Sequence, residues 1–131
     1  MAGKFRKIAT EEAFSIPEVA QQLQAVSRVP SESLDLQLVR GIYDSKPGYG
    51  QLNFLEGLLD LEHARLRDMD QNGVDMQLLS LTAPGVQMFD ADTATELATL
   101  ANDRLAEVIA RHPTRFAGLA TFAPHSPKRA V

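Results

Sequence analysis

Two adjacent glutamates, Glu11 and Glu12, stand near the amino terminus behind a short run of β-forming residues. That run, residues 5–10, predicts a first strand with both carboxylates at its carboxyl end, where parallel α/β folds carry their chemistry. Side chains alternate along a strand, so one glutamate can point into a site and the other away. A single inward carboxylate suits a hard or borderline divalent cation, and two solvated surface glutamates are the alternative that the spacing leaves open.

The histidines of the chain, His63, His112 and His125, show no metal-ligand spacing such as His-x-His or His-Glu-x-x-His. We expect His63 to face solvent on a helix and His112 to end a helix, where a cation interacts favourably with the dipole. His125 follows a predicted third strand and lies either on an exposed loop or at the mouth of the site. No nucleophile-elbow pattern occurs, and the absence of cysteine excludes disulfides, thiolate ligands and a cysteine nucleophile.

The loop at residues 82–87 is a second place where a predicted strand ends in groups that can bind a ligand. The Thr82 hydroxyl and the free backbone amides can hold a carboxylate or a ring hydroxyl, or the segment is a plain turn. Arg40, Tyr43 and Tyr49 can supply a cation and phenols to an acidic aromatic substrate, or they can pack a subunit interface. The sequence leaves both alternatives open.

Length and composition limit the class of protein. The 131 residues suffice for one domain and are too few for a complete eight-fold α/β barrel, which needs at least about 200 residues. A net charge of −4 and a pI near 5.3 argue against non-specific electrostatic binding to nucleic acid or to an anionic membrane. Since the sequence shows neither a secretory signal nor a membrane-length apolar run, we expect a soluble, cytoplasmic protein.

The spacing of apolar residues predicts three strands separated by helices, an order that is typical of a parallel α/β fold. Further strands are expected at residues 74–81 and 116–122. One helix is expected from Asn53 to a left-handed cap at Gly73, and another from Asp90 or Asp92 to Arg111. Residues 15–51 are predicted to be an irregular insertion that opens with a short helix. No glycine-rich phosphate loop follows any strand, which disfavours a nucleotide-binding fold.

The stretch Ile8-Ala9-Thr10-Glu11-Glu12-Ala13-Phe14 resembles the start of the metal-dependent aromatic acid decarboxylases of the amidohydrolase superfamily. These are the 5-carboxyvanillate and resorcylate (dihydroxybenzoate) decarboxylases. The resemblance continues through residues 58–61, 67–70 and 73–75, and then through 81–87, 101–103 and 113–118. It spans nearly the whole chain and is weakest from residue 19 to residue 51. The order and spacing of these modest motifs make the resemblance specific.

The resemblance implies that the chain is the amino-terminal part, about three βα units, of a distorted (β/α)8 TIM barrel of the metal-dependent hydrolase type. It also implies that Glu11 binds a divalent metal, Zn²⁺ or Mn²⁺, which would hold the substrate carboxylate and a neighbouring phenolic oxygen. Phe14, Thr82 and Pro84 are the candidate substrate-binding residues. The family's two histidine ligands, and the aspartate that would protonate the ring carbon as CO₂ leaves, are expected beyond residue 131.

We therefore expect a fragment or truncated form of a non-oxidative decarboxylase that acts on a small aromatic carboxylic acid. Full-length relatives would form homo-oligomers, with neither nucleic acid nor membrane as a partner. One alternative is an amidohydrolase-type hydrolase of an ester, lactone or amide. Another is a non-catalytic truncated paralogue that acts through interaction or dimerisation, because open strand edges invite pairing.

Overall fold

The computed structural model describes residues 5–44 and 54–130. Within those ranges, no helix is both long enough and apolar enough to cross a membrane. The elements, in chain order, are β1 (Ile8–Phe14), α1 (Pro17–Ser27), α2 (Leu34–Val39) with a π-helical turn (Arg40–Asp44), α3 (Phe54–Leu59), α4 (His63–Asn72), β2 (Met76–Leu81), α5 (Ala91–Arg111), β3 (Phe116–Gly118) and a 3-10 turn (Pro127–Arg129).

The three strands form one parallel sheet in the order β1-β2-β3, as the alternating pattern of the sequence predicts. Gln77 and Leu79 of β2 are buried, and Leu79 pairs with Gly118, which contacts α5. We call the side of the sheet on which Gln77 and Leu79 lie, and against which α5 packs, the helix face. Met76, Leu78 and Ser80 alternate with these residues and keep part of their surface exposed. They and their strand partners define the open face.

The core lies between the helix face and the helices. Its buried residues include Val19 and Leu23 of α1, Met69 of α4, and Ala101 and Leu105 of α5. A bidentate ion pair between Arg104 and Glu18, with both N···O distances at 2.6 Å, joins α5 to α1. The helix layer is therefore held by apolar packing and by charge pairs at its rim.

The long helix α5 and the turn before β2 follow the sequence closely. Asp90 caps α5 by accepting hydrogen bonds from the amides of Asp92 and Thr93, each at 3.0 Å. Gly73 ends α4 with φ of 65°, a left-handed conformation that glycine adopts without a steric penalty. Both helix ends confirm the predicted caps.

The helix predicted over residues 53–73 is in fact two helices, and Asn53 lies outside the described residues. Asp60 causes the break, because its carboxylate accepts hydrogen bonds from the amides of Glu62, His63 and Ala64. Those amides would otherwise continue the first helix, so α4 begins afresh at His63. The predicted single helix was wrong at this point.

Two further expectations need correction. The segment predicted as an irregular insertion at 15–51 opens with α1, the short helix that the sequence predicts. It also contains α2 and the π-helical turn and is therefore more regular than expected, although residues 45–53 lie outside the described ranges. The third strand stops at Gly118 rather than Phe122. Beyond it, the Asn102 side chain binds both the carbonyl and the amide of Thr121 at 2.8 Å, which replaces a strand ladder with a contact to α5.

We expect Gly118→Ala to destabilise the fold by about 1–3 kcal/mol, because a methyl group there overpacks the contact between β3 and α5. The added carbon would lie 2.5 Å from Leu105 Cδ2 and 2.9 Å from Ile109 Cδ1. Gly57→Ala is the control, since that position within α3 has no neighbouring atom within 4 Å. It should stabilise the chain by about 0.5–1 kcal/mol. Urea unfolding measures both, and equal effects of the two changes would contradict the close contact.

A second prediction concerns Glu62, which joins α4 to the end of α5. Its carboxylate accepts hydrogen bonds from Arg111 at 2.8 and 2.9 Å and lies 2.9 Å from His112 Nε2. Hydrogen bonding to Arg111 lowers the pKa of Glu62, burial opposes this, and His112 lowers the pKa further. This stabilisation is complete above the unfolded pKa of about 4.3 and is lost as the pH falls through the lower folded pKa.

Glu62→Gln should therefore be less stable than the parent chain at pH 7, and the difference should shrink below about pH 4. Urea unfolding at pH 7, 5 and 3.5 measures the trend. Glu107→Gln is the matched control, because Glu107 is 70% exposed and meets the same arginine only at 4.0 Å. A stability difference for Glu62→Gln that stays constant with pH would contradict the expectation.

Candidate functional site

The predicted metal ligand Glu11 lies inside β1, three residues before its end, and not at the carboxyl end as the sequence suggested. β1 and β2 pair regularly at Ala9–Gln77 and again at Glu12–Leu79, but the register shifts between them. Thr10 and Glu11 therefore stand together opposite Leu78, which forms a β-bulge. Because Leu78 lies on the open face, the bulge places Glu11 on that face.

Glu12 takes the opposite direction. It pairs with the buried Leu79, and its carboxylate lies 3.8 Å from Arg65 of α4. Its side chain is 32% exposed, whereas Thr10 and Glu11 are exposed residues. The adjacent glutamates thus have different surroundings, one on the helix face beside a cation and one on the open face.

Arg65 contacts more elements than any candidate that the sequence singled out. Its guanidinium donates to the carbonyl of Ala13 at 2.9 Å, to Gln77 Oε1 at 3.3 Å and to the carbonyls of Gly57 and Asp60 at 3.2 and 3.0 Å. The side chain is only 9% exposed, and this burial lowers the pKa of Arg65 while the charge of Glu12 opposes the shift.

Arg65 was not among the candidate residues that the sequence indicated. A signal was available, because Arg65 stands four residues before the buried Met69 and therefore shares its side of the helix. A charged residue at such a position suggests a buried partner. The partner atoms lie on β1 and β2, which the spacing within α4 cannot reveal.

The loops that follow β2 and β3 form a cleft of about 370 Å³ at the carboxyl end of the sheet. Pro84 lines it, together with Gln87 from the same loop and Thr121 and Phe122 from the neighbouring one. Thr82 is half-buried, and its amide donates to the carbonyl of Phe14 at 2.9 Å. With about 3.3 Å per residue, Thr82 lies about 13 Å further along the strand direction than Leu78 and Glu11.

Phe14 is 1% exposed and belongs to the core, where it pairs with Leu81. The structure therefore gives Phe14 a packing role, and its contact with a substrate stays a prediction without support from its position.

The histidines lie apart from Glu11. His63 is the exposed first residue of α4, and His125 is exposed after β3. His112 ends α5, as expected, and its ring meets Phe116 edge-on at 5.9 Å.

The structure does not bring Arg40, Tyr43 and Tyr49, which the sequence offered as substrate contacts, together at a site. Arg40 donates to the carbonyls of Ser27 and Val29, and Tyr43 is 4% exposed. Tyr49 lies outside the described residues.

Within residues 5–44 and 54–130, no group of three histidine, aspartate or glutamate side chains is placed to hold a metal ion. A carboxylate oxygen such as that of Glu11 suits Mn²⁺ or Zn²⁺, but a catalytic site needs about three protein ligands. The described residues therefore offer Glu11 as one candidate ligand and do not form a metal centre by themselves.

A larger cleft, of about 770 Å³, lies between α5 on one side and α3 with the turn before α4 on the other. Leu59, Arg104 and Arg111 are among its lining residues. Both arginines are engaged in the ion pairs described above. The smaller cleft is therefore the better candidate, because it opens at the end of the sheet where strand-end loops converge.

Among curated proteins, the chain is similar to gamma-resorcylate decarboxylases. It is 35% identical to the enzyme of Rhizobium radiobacter over 126 residues, which cover 95% of this chain and 33% of that protein. With the enzyme of Polaromonas sp. it shares 46% identity over 75 residues, which cover 56% of this chain and 23% of that protein. No protein-family model matches the chain.

Solved structures give the same picture. The 5-carboxyvanillate decarboxylase of Sphingomonas paucimobilis superposes with a TM-score of 0.87 and 52% identity, covering 97% of this chain and 37% of that one. The enzyme of Novosphingobium aromaticivorans, in complex with manganese and 4-hydroxy-3-methoxy-5-nitrobenzoic acid, matches with a TM-score of 0.85 and 40% identity over 94% of this chain and 35% of that one. The 2,6-dihydroxybenzoate decarboxylase of Rhizobium matches with a TM-score of 0.66 and 34% identity over 97% and 33% of the two chains.

These superpositions confirm the predicted fold class, the amino-terminal portion of a TIM-barrel amidohydrolase. The chain spans about a third of the length of the relatives it matches over almost its whole extent.

Proposed function

We propose that this chain, whose homologues are the metal-dependent aromatic acid decarboxylases of the amidohydrolase superfamily, forms the amino-terminal third of an enzyme of that kind. The reaction is the non-oxidative decarboxylation of a hydroxylated benzoic acid, in which the carboxylate leaves as CO₂ and a proton takes its place on the ring. The substrate is a small aromatic carboxylic acid, as the ligands of related structures suggest.

The observation that carries the proposal is the position of Glu11. The bulge in β1 directs the Glu11 carboxylate to the open face, whereas the Glu12 carboxylate lies 3.8 Å from Arg65 on the helix face. In a closed barrel the face without helices is the interior, and the active site lies where that interior opens at the carboxyl ends of the strands. Among the described residues, Glu11 is therefore the one that we propose as a ligand of a divalent cation.

The metal is manganese or zinc, and manganese is bound in the related structures from Novosphingobium aromaticivorans and Polaromonas sp.. Such an ion would stabilise negative charge on an acidic substrate. Its remaining ligands and the group that supplies the proton lie outside the described residues, so no step of the reaction is assigned to this chain.

Thr82 and Pro84 are the proposed substrate contacts at the rim, and Pro84 lines the cleft at the strand ends. Phe14 would act indirectly, because its burial anchors the end of β1. For the complete enzyme we propose a cytoplasmic location and a homo-oligomeric state, which fractionation and size-exclusion chromatography can check.

The decisive experiment is a chimera in which residues 1–131 replace the matching third of the Sphingomonas paucimobilis 5-carboxyvanillate decarboxylase. We expect this chimera to bind Mn²⁺ and to release CO₂ from 5-carboxyvanillate. Glu11→Gln keeps the size of the side chain and removes its charge, so it should weaken Mn²⁺ binding at least about tenfold and reduce CO₂ release about 100-fold. Metal titration and a CO₂ assay measure the two effects.

Glu96→Gln is the matched control, because Glu96 is an exposed glutamate on α5 and should leave both quantities unchanged. Unaltered metal affinity in Glu11→Gln would remove Glu11 from the site. Hydrolysis of an ester or lactone panel without CO₂ release would favour the hydrolase alternative. A folded chimera without metal or activity would favour a non-catalytic paralogue.

A further inference from the structure

We propose that Phe122 is a contact for the aromatic ring of the substrate, and that Asn102 is the positioning residue that directs Phe122 to this site. The site is the cleft of about 370 Å³ between the loops that follow β2 and β3, which we call the strand-end cleft. The inference rests on the proposed function, because it adds a wall to the same site. Asn102 belongs to α5, and Phe122 stands four residues after β3.

The strand-end cleft lies within reach of Glu11. Ser80 and Leu119 line the cleft where it meets the sheet. Ser80 is on the open face, two residues after Leu78, and Leu78 stands opposite Glu11. With about 3.3 Å per residue, the cleft begins about 7 Å beyond Glu11 along the strand direction. This is roughly the length of a benzoic acid, so a substrate held by a cation at Glu11 extends into the cleft.

Phe122 does not point where a regular strand would direct it. Gly118 packs against α5 on the helix face, so strict alternation would place Phe122 on the helix face and Ala123 on the open face. The structure shows the reverse. Ala123 is 3% exposed and belongs to the core, whereas Phe122 is 59% exposed and lines the strand-end cleft. The alternation of side chains is therefore reversed between Gly118 and Phe122.

Asn102 binds the chain where this reversal occurs. Its side-chain amide donates to the carbonyl of Thr121 and accepts from the amide of Thr121, both at 2.8 Å. Two residues earlier, Leu119 still donates its amide to the carbonyl of Leu79 on β2. β2 ends at Leu81, so Thr121 lies beyond the end of its neighbouring strand. Asn102 thus supplies the donor and the acceptor that a strand neighbour would otherwise provide.

The residue type at position 102 agrees with this role. Asn102 stands inside the 21-residue α5, where asparagine is a weaker helix former than alanine or leucine. Without its side chain, the half-buried Thr121 would lose the partners of both its backbone groups. The burial of Ala123 would still anchor the chain beyond this point. We therefore expect residues 120–122 to loosen while the rest of the fold stays intact.

An exposed phenylalanine in a cleft of this kind suits an aromatic ligand. Phe122 lines the strand-end cleft from the loop after β3, and Pro84 lines it from the loop after β2. Both side chains present apolar surface to a ring, and aromatic pairs prefer offset or edge-on contacts. The ring of the substrate would therefore meet Phe122 at the end that points away from the cation at Glu11.

Amide hydrogen exchange on the full chain tests the positioning role. Asn102→Ala should accelerate exchange of the Thr121 amide at least about tenfold beyond any change in global stability, although alanine favours the helix itself. Asn102→Leu removes the same two bonds and keeps the size of the side chain, so it should give the same result. It also serves if Asn102→Ala does not fold. Asn72→Ala is the matched control, because Asn72 bonds to the carbonyl of Asp68 within α4 and should leave Thr121 unchanged.

Ligand binding to the Mn²⁺-loaded chimera tests the ring contact. The probe is 4-hydroxy-3-methoxy-5-nitrobenzoic acid, which the related Novosphingobium aromaticivorans enzyme binds in its complex with manganese. Phe122→Ala should raise the Kd of the probe about tenfold, and Phe122→Leu about threefold, because leucine keeps apolar bulk without the ring. Asn102→Ala should raise it about fivefold, because it displaces the ring. Absorbance titration measures the Kd, and Mn²⁺ affinity should stay unchanged in all three variants.

Steady-state turnover separates the ring contact from a general structural role. In Phe122→Ala, the KM for 5-carboxyvanillate should rise about tenfold while kcat stays within about twofold, because such a contact stabilises ground state and transition state alike. Phe54→Ala is the matched control. Phe54 on α3 is exposed to a similar extent, 55%, and does not line the strand-end cleft, so its removal should change neither quantity.

Unchanged probe affinity in Phe122→Ala would overturn the ring contact, and a loss of stability with it would assign the ring to packing against the rest of the barrel. Unchanged exchange at Thr121 in both Asn102 variants would overturn the positioning role. Failure of the proposed function gives a different result, namely a parent chimera that binds neither Mn²⁺ nor the probe. That result would also remove the ring contact, whereas the exchange measurement, which contains no metal, would still decide the role of Asn102.

Discussion

The contact between the sheet and α4 depends on the hydrogen bonds of the buried guanidinium of Arg65. It comes from α4 and reaches atoms of β1 and β2 as well as the backbone before its own helix. A cation with so little exposure is tolerable because each of its three nitrogens donates a hydrogen bond and a carboxylate lies nearby. The same group therefore joins the sheet to the helices and gives Glu12 a charged neighbour on the helix face.

The sheet is covered by helices on one face, and the other face keeps residues such as Met76 and Leu78 partly exposed. Parallel sheets are usually covered on both faces, because their connections place helices or further strands there. Under the proposal that the chain is the first third of a barrel, the open face would become the barrel interior. The exposure of Glu11 is thus a property of this portion of the fold, and it suits a carboxylate that binds a ligand.

Much of the architecture follows from local patterns in the sequence. The cap at Asp90, the left-handed Gly73 and the three parallel strands are readable because each depends on neighbouring residues. The break at Asp60 is not readable in this way, since the helices on either side of it share one apolar stripe. The true end of β1 was also missed, because two acidic residues look like the end of a strand when their partner on another element is unknown.

The candidate site shows the same division between local and distant information. The resemblance of residues 8–14 to a known family indicates Glu11, and the strand-end loop indicates Pro84. The burial of Phe14 and the role of Arg65 depend on packing across elements far apart in sequence. Periodicity within one helix or strand carries no record of such contacts.

Because of the bulge, deleting one residue from β1 has a different effect depending on which residue is deleted. Deletion of Thr10 would leave Glu11 alone opposite Leu78 and turn no later side chain over, so the strand would become regular with the same carboxylate outward. Deletion of either glutamate would leave Thr10 opposite Leu78 and the remaining carboxylate beside Arg65. A shorter version of this strand can therefore preserve the site only if the residue it lacks is the threonine.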